Sequence, residues 1–343
     1  MKNLKKRFDQ PGGFVFDRFK NDRGQVIRYG HIQSKKSNTH GALVLGLGYS
    51  EPIEKYFEVI NDLTQQGYDV WVMDWASQGG SERIDPKDPQ RSYDEKNFLD
   101  HHRDDLYKFV TQIIKVPQTD KIGFLGFSMG GHIGLKLLER YPHTFDTAAM
   151  TSAMIEFETG DIPKHMAPIL ARTMAAAGKK ADYVPGGGPW SSLKHAFNEN
   201  DKTHDSKRFQ IQLEIMKKNP SLQVGSPRVQ WILHAYPSIK KVQNKKNSAK
   251  IQTPILFSIA MKDTVVNPAA QLKLAQIIPN AHAIKYQDAK HELWIEKDSI
   301  RDHWLKNMIG FLNTTMQSKK IEPVRISQKT PALKPPKTHP PKS

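Results

Sequence analysis

A glycine-flanked serine, Gly126-Phe-Ser-Met-Gly-Gly131, stands directly after the apolar run 121–125 and directly before a helical pattern. Only a strand, a sharp turn and a helix in succession accommodate that order. Glycines on both sides let the backbone reverse without a clashing Cβ, so the Ser128 hydroxyl projects from the carboxyl edge of a sheet. The helix that begins after it brings its positive end to the same place.

Further short apolar runs at 41–47, 69–74, 147–152, 255–260 and 283–286 alternate with helical stretches at 55–66, 95–114, 130–141, 268–277 and 299–312. That alternation predicts a largely parallel sheet covered on both faces. Residues 13–19 and 25–31 flank Asn21-Asp-Arg-Gly24 and read as an antiparallel hairpin at the sheet's edge. Between Ser152 and Ile251 the alternation stops. The expected organisation is a core in two parts, 1–152 and 251–315, interrupted by a helical cap over 153–250, with helices at 164–177 and 206–217. A basic, Pro-rich, disordered tail is expected over 316–343.

A serine nucleophile needs a general base, and the base needs an orienting acid, in the chain order Ser, Asp, His for such a sheet. The strand ending near Ala260 delivers Asp263, and the last strand delivers His291 through the loop Gln287-Asp-Ala-Lys290. Both positions lie past a strand's carboxyl end, where open α/β sheets bind ligands. Asp288 is too near His291 in the chain to be its partner on another loop. His303 falls within the final helix and His282 before the last strand, so neither is favoured. The oxyanion hole is assigned to the backbone N–H groups of Met129 and of Leu47, in Leu45-Gly-Leu-Gly-Tyr49. His101, His102, Asp104 and Asp105 read as a solvated helix face rather than a metal cluster, since adjacent helical residues diverge. The glycines of 182–190 read as a cap loop, not a phosphate loop.

With these residues in place, the sequence resembles the bacterial lysophospholipase and monoacylglycerol lipase group of α/β-hydrolases over roughly residues 12–315. Asp74-Trp-Ala-Ser-Gln-Gly-Gly-Ser81 resembles that group's D-x-R-G-x-G-x-S segment, and Asn97-Phe-Leu-Asp-His-His-Arg-Asp-Asp-Leu106 its helix before the nucleophile strand. Asn200–Phe209 and Gly225–Trp231 resemble the lysophospholipase branch. The resemblance implies the α/β-hydrolase fold, an eight-stranded mostly parallel sheet with helices on both faces and an inserted helical cap. It implies an ester hydrolase acting on single-chain lipids through an acyl-enzyme, with Ser128, Asp263 and His291 as triad, Leu47 and Met129 as oxyanion donors, and no cofactor. A short-chain carboxylesterase, a proline-type aminopeptidase and a non-catalytic binding module are the alternatives. The chain departs from the group's pattern twice. Leu45-Gly46 stands where a His-Gly is common, and Ala76-Ser77 replaces Arg-Gly, which removes a cation and is expected to loosen the turn after Asp74.

The chain has no cysteine, which excludes disulfides, thiolate nucleophiles and zinc-thiolate sites. No segment approaches the roughly 20 apolar residues of a membrane-spanning helix, and no signal-peptide pattern follows the basic start, so a cytoplasmic protein is expected. Of a formal net charge of +16, the tail carries seven Lys or Arg against one acid. Lysines near residue 5 and over 240–250 form two further clusters. Solvated lysines aiding solubility, or peripheral contact with an anionic membrane, fit that charge; no nucleic-acid module accompanies it.

Overall fold

The computed structural model describes residues 2–36, 39–115, 121–160, 162–191 and 196–317. The strands are β1 (Val15–Lys20), β2 (Val26–Ile32), β3 (Ala42–Gly46), β4 (Asp69–Met73), β5 (Ile122–Phe127), β6 (Thr147–Thr151), β7 (Ile255–Ala260) and β8 (Ala281–Tyr286). They form one sheet in the order β1-β2-β4-β3-β5-β6-β7-β8. β2 pairs antiparallel with β1 and with β4, and every other pairing is parallel. The expected edge hairpin and the mostly parallel eight-stranded sheet are therefore both present.

The helices are α1 (Lys2–Lys6), α2 (Phe57–Gln66), α3 (Phe98–Lys108), α4 (Met129–Arg140), α5 (Ala167–Ala176), α6 (Ser206–Lys218), α7 (Val229–Val242), α8 (Lys245–Ser248), α9 (Pro268–Ile277) and α10 (Asp298–Gln317). The period of two along each strand sends alternate side chains to opposite layers. Val44, Met73, Phe124 and Phe257 join a core with α3, α4, α7 and α9. Leu43, Leu45, Val72, Leu125 and Leu256 join another with α2 and α10. Burial on both faces explains why β3, β5, β6 and β7 read as continuous apolar runs.

Between β6 and β7 the described chain adds no strand to the sheet and folds as α5 to α8. Helix α7 was not expected, and its Trp231, Ala235 and Val242 enter the first core. Its interior Pro237 removes a backbone donor, the usual sign of a helix's end, and tertiary burial holds the helix across that break. The expected tail over 316–343 lies outside the described residues apart from Met316 and Gln317, which complete α10. No helix among the described residues is long and apolar enough to cross a membrane.

Candidate active site

Ser128 occupies the turn between β5 and α4 with φ 49° and ψ −114°, a conformation rare for a residue with a Cβ. Surrounding backbone holds it there. Ser128 N–H donates to the Thr151 carbonyl at 3.1 Å, and the Ser128 carbonyl accepts from Met154 N at 2.9 Å and His132 N at 3.2 Å. The loop after β3 lies directly against this turn: a Cβ on Gly130 would stand 2.1 Å from the Gly46 oxygen, and one on Gly48 only 3.6 Å from the Ser128 Cβ. Only glycine fits at position 130, and the two assigned oxyanion donors, Leu47 and Met129, flank this contact. Met129 is the first residue of α4, so its N–H has no acceptor within the helix. The peptide after Leu47 is gripped from both sides, its oxygen by Trp75 Nε1 at 2.8 Å and its Gly48 N–H by Tyr56 Oη at 3.4 Å. These two aromatic residues support the loop where a histidine is common.

Asp263 follows β7. Its Oδ1 accepts from Val265 N at 2.8 Å and Val266 N at 3.0 Å, which leaves Oδ2 to accept from His291 Nδ1 at 2.7 Å. Both residues are buried. With Nδ1 given to the carboxylate, the lone pair of the neutral ring lies on Nε2, the nitrogen a general base uses. Burial opposes a charge on His291, but the Asp263 charge and hydrogen bond outweigh it and hold the imidazole above its ordinary 6.5. The insertion helps to fix this loop, because His291 N donates to the Asp201 carbonyl at 3.4 Å and Glu292 N to that of Lys202 at 2.8 Å. The structure has a His291–Asp263 hydrogen bond and none between His291 and Ser128; in enzymes without substrate such contacts are often long.

Ser128 faces a cavity of about 480 Å³ whose other walls include Met154, Phe157, Leu170, Trp231 and Val266. Its apolar lining suits a hydrocarbon chain, and its size is that of a small-molecule pocket. A second cavity, of about 400 Å³, carries Glu51, Lys55, Lys202 and Glu292 in its walls. Sequence reasoning missed this charged group, whose members lie on three separate segments; the four-residue spacing of Glu51 and Lys55 and the adjacency of Glu292 to His291 were the available signals.

The rival residues fall elsewhere. Asp288 is exposed and pairs with Lys262 Nζ at 2.8 Å. His303 lies in α10 against the Tyr286 ring. His282 sits inside β8 as its second residue, not before it; on this edge strand it is exposed, so no apolar signal marked the true start. The helix-face reading of the His-Asp cluster is corrected. His102 is fully buried among Trp75, Tyr93 and Phe98, and Asp105 is buried against Arg23 and Asn21, because this side of α3 packs against the loops after β4 and the turn between β1 and β2. The turn after Asp74 is not loosened either. Arg28, from β2, places Nε 2.6 Å from Asp74 Oδ2, and Ser77 adopts φ 61° with its oxygen bound by Arg83.

Residues 37–298 match the model of the family described as Serine aminopeptidase, S33. A probable lysophospholipase L2 of Haemophilus influenzae is 30% identical over 296 residues, 85% of this chain and 90% of that protein. Lysophospholipase L2 of Escherichia coli is 27% identical over 79% of this chain and 80% of its own length. A monoglyceride lipase from Saccharomyces cerevisiae has the same fold, with a TM-score of 0.69 at 17% identity over 89% of this chain and 96% of that one. A carboxyl esterase from Bacillus coagulans superposes with a TM-score of 0.68 at 14% identity, covering 89% and 99%. The chain belongs to this serine aminopeptidase family of the α/β-hydrolases.

Proposed function

We propose that the protein hydrolyses the carboxylic ester of single-chain lipids, lysophospholipids or monoacylglycerols, with Ser128 as nucleophile, His291 as base and Asp263 as its orienting acid. The observation that carries the reading is the 2.7 Å His291–Asp263 bond on the sheet edge that also presents Ser128 to an apolar cavity. The lysophospholipase relatives support the substrate class.

In this mechanism His291 Nε2 takes the proton as Ser128 Oγ attacks the ester carbonyl, and the N–H groups of Leu47 and Met129 receive the oxyanion. Collapse expels the alcohol, which takes the proton from His291. Water, deprotonated by the same nitrogen, then releases the fatty acid and restores Ser128. Residues 153–250 act as the cap, since α5 and α7 supply walls of the acyl cavity.

The enzyme works in the cytoplasm with peripheral membrane contact. The sequence charge of 316–343 supports this, as do Met166, Ile169 and Leu170 on and beside α5, three of the four large apolar side chains exposed among the described residues. Assay of the purified chain against lysophospholipids, monoacylglycerols, short nitrophenyl esters and aminoacyl anilides tests the function. Turnover of the long-chain lipid esters in preference to the others is expected; turnover of anilides alone would replace this reading with a peptidase.

A further inference from the structure

The charged cavity adjoins the acyl cavity, and Tyr49, Asp201 and Pro227 line both. Its charges alternate. Lys202 Nζ lies 2.7 Å from Glu292 Oε1 and 3.7 Å from Glu51 Oε1, while Lys55 bonds Glu51 and lies 3.9 Å from Glu292. Glu51, Lys55 and Glu292 are buried, but the Lys202 side chain keeps 31% of its surface. Its ammonium donates one hydrogen bond to Glu292 Oε1 and has other N–H groups to offer.

Two buried acceptors in the same walls have no hydrogen bond, Glu292 Oε2 and Gln212 Oε1. A buried acceptor without a donor is costly, and a ligand that brings donors relieves it. With Asp201 included, three carboxylates face two ammonium groups in this cavity.

We infer that the cavity is a subsite for a zwitterionic phospholipid headgroup whose ammonium carries N–H donors, phosphoethanolamine in chemical class. The inference rests on the lipid-ester reading above and names its substrate. Lys202 meets the phosphate, and the Glu292 and Gln212 side chains, whose Oε2 and Oε1 are closed to solvent in this structure, turn to meet the ammonium. A trimethylammonium group has no N–H and leaves both oxygens unmet. An anionic headgroup adds negative charge where carboxylates already outnumber ammonium groups, and an uncharged glycerol, though its hydroxyls can donate, brings neither an anion for Lys202 nor a cation for the carboxylates.

The test is inhibition of the full chain's hydrolysis of a nitrophenyl ester, which has no headgroup, by glycerophosphoethanolamine, glycerophosphocholine and glycerol. Competitive inhibition by the first is expected, at least about tenfold stronger than by the second, the worth of one charge-assisted hydrogen bond. In turnover, Lys202→Gln should raise KM for lysophosphatidylethanolamine about tenfold relative to any change in KM for the nitrophenyl ester. Gln212→Leu should reduce the preference for ethanolamine over choline, leaving the part that Glu292 supplies. Equal inhibition by the two phosphodiesters, no inhibition by either, or a parallel loss on both substrates in Lys202→Gln overturns the subsite. Hydrolysis of every lipid ester regardless of headgroup overturns it and leaves the hydrolase reading standing; failure to hydrolyse any lipid ester overturns both.

Discussion

Arg28 clamps Asp74 and Glu54 at once, with Nε 2.6 Å from the former and its two terminal nitrogens 2.6 and 2.8 Å from the carboxylate oxygens of the latter. Asp74 in turn accepts from Ile53 N at 3.1 Å and Gly80 N at 2.9 Å, so one ion pair ties β2 to the starts of two loops. Removing the cation leaves a buried carboxylate alone. Arg28→Ala should cost about 3–5 kcal/mol of stability in chemical denaturation, and Arg28→Lys, which cannot fork, should recover only part. A loss under about 1 kcal/mol would mean that the clamp is not structural.

His102 presents the opposite case. Both its ring nitrogens are buried without a partner, and burial holds its imidazole well below the ordinary range, so it stays neutral. His102→Phe keeps the ring contacts with Trp75, Tyr93 and Phe98 and removes two unmet polar atoms. Its melting temperature should equal or exceed that of the wild type. A fall of several degrees would show that the nitrogens are bonded in solution.

The pH profile follows from the His291–Asp263 pair. The base must be neutral, so kcat/KM should fall as pH drops through a limb lying above 6.5, the ordinary imidazole value. Asp263→Asn removes the charge that raises it, moves the limb to lower pH and costs roughly 10⁴-fold in rate through the wrong tautomer. Stability runs the other way. A base with a raised folded-state pKa contributes fully below its unfolded value and loses that contribution as pH rises through the folded one. The wild-type advantage over Asp263→Asn should therefore shrink from pH 6 to pH 8, followed by thermal melts; an advantage that grows over this interval contradicts the pairing.

Residues 318–343 carry all of the tail's excess charge, and each Lys or Arg near an anionic surface contributes about 1 kcal/mol, screened by salt. Because Met316 is buried in the second core, the cut belongs after Gln317. The truncated protein should hydrolyse a soluble ester normally and sediment less with anionic vesicles at low salt. Equal sedimentation across a salt series would return these lysines to solubility alone.

The legible parts of the molecule share a cause. Strands buried on both faces are apolar without interruption, and a glycine-flanked serine between strand and helix has few other uses. Three further features depend on tertiary contact. Trp231, Ala235, Ile239 and Val242 do recur at helical spacing, but Pro237 interrupts the pattern, and a proline there ordinarily marks a helix's end. Arg28 is 46 positions from Asp74, so the missing Arg-Gly cation looked unreplaced. Glu51, Lys55, Lys202 and Glu292 meet only once β3, the insertion and the last loop have come together.

The central claim is that Ser128 forms the acyl-enzyme. Wild type and Ser128→Ala should be treated with a fluorophosphonate and digested, the modified peptide mapped by mass spectrometry, and lysophospholipid turnover measured on both. The account predicts one adduct, on Ser128, absent from the variant, together with a loss on the order of 10⁶-fold in turnover. An adduct on another residue, or a variant retaining even about a tenth of the wild-type rate, would contradict it.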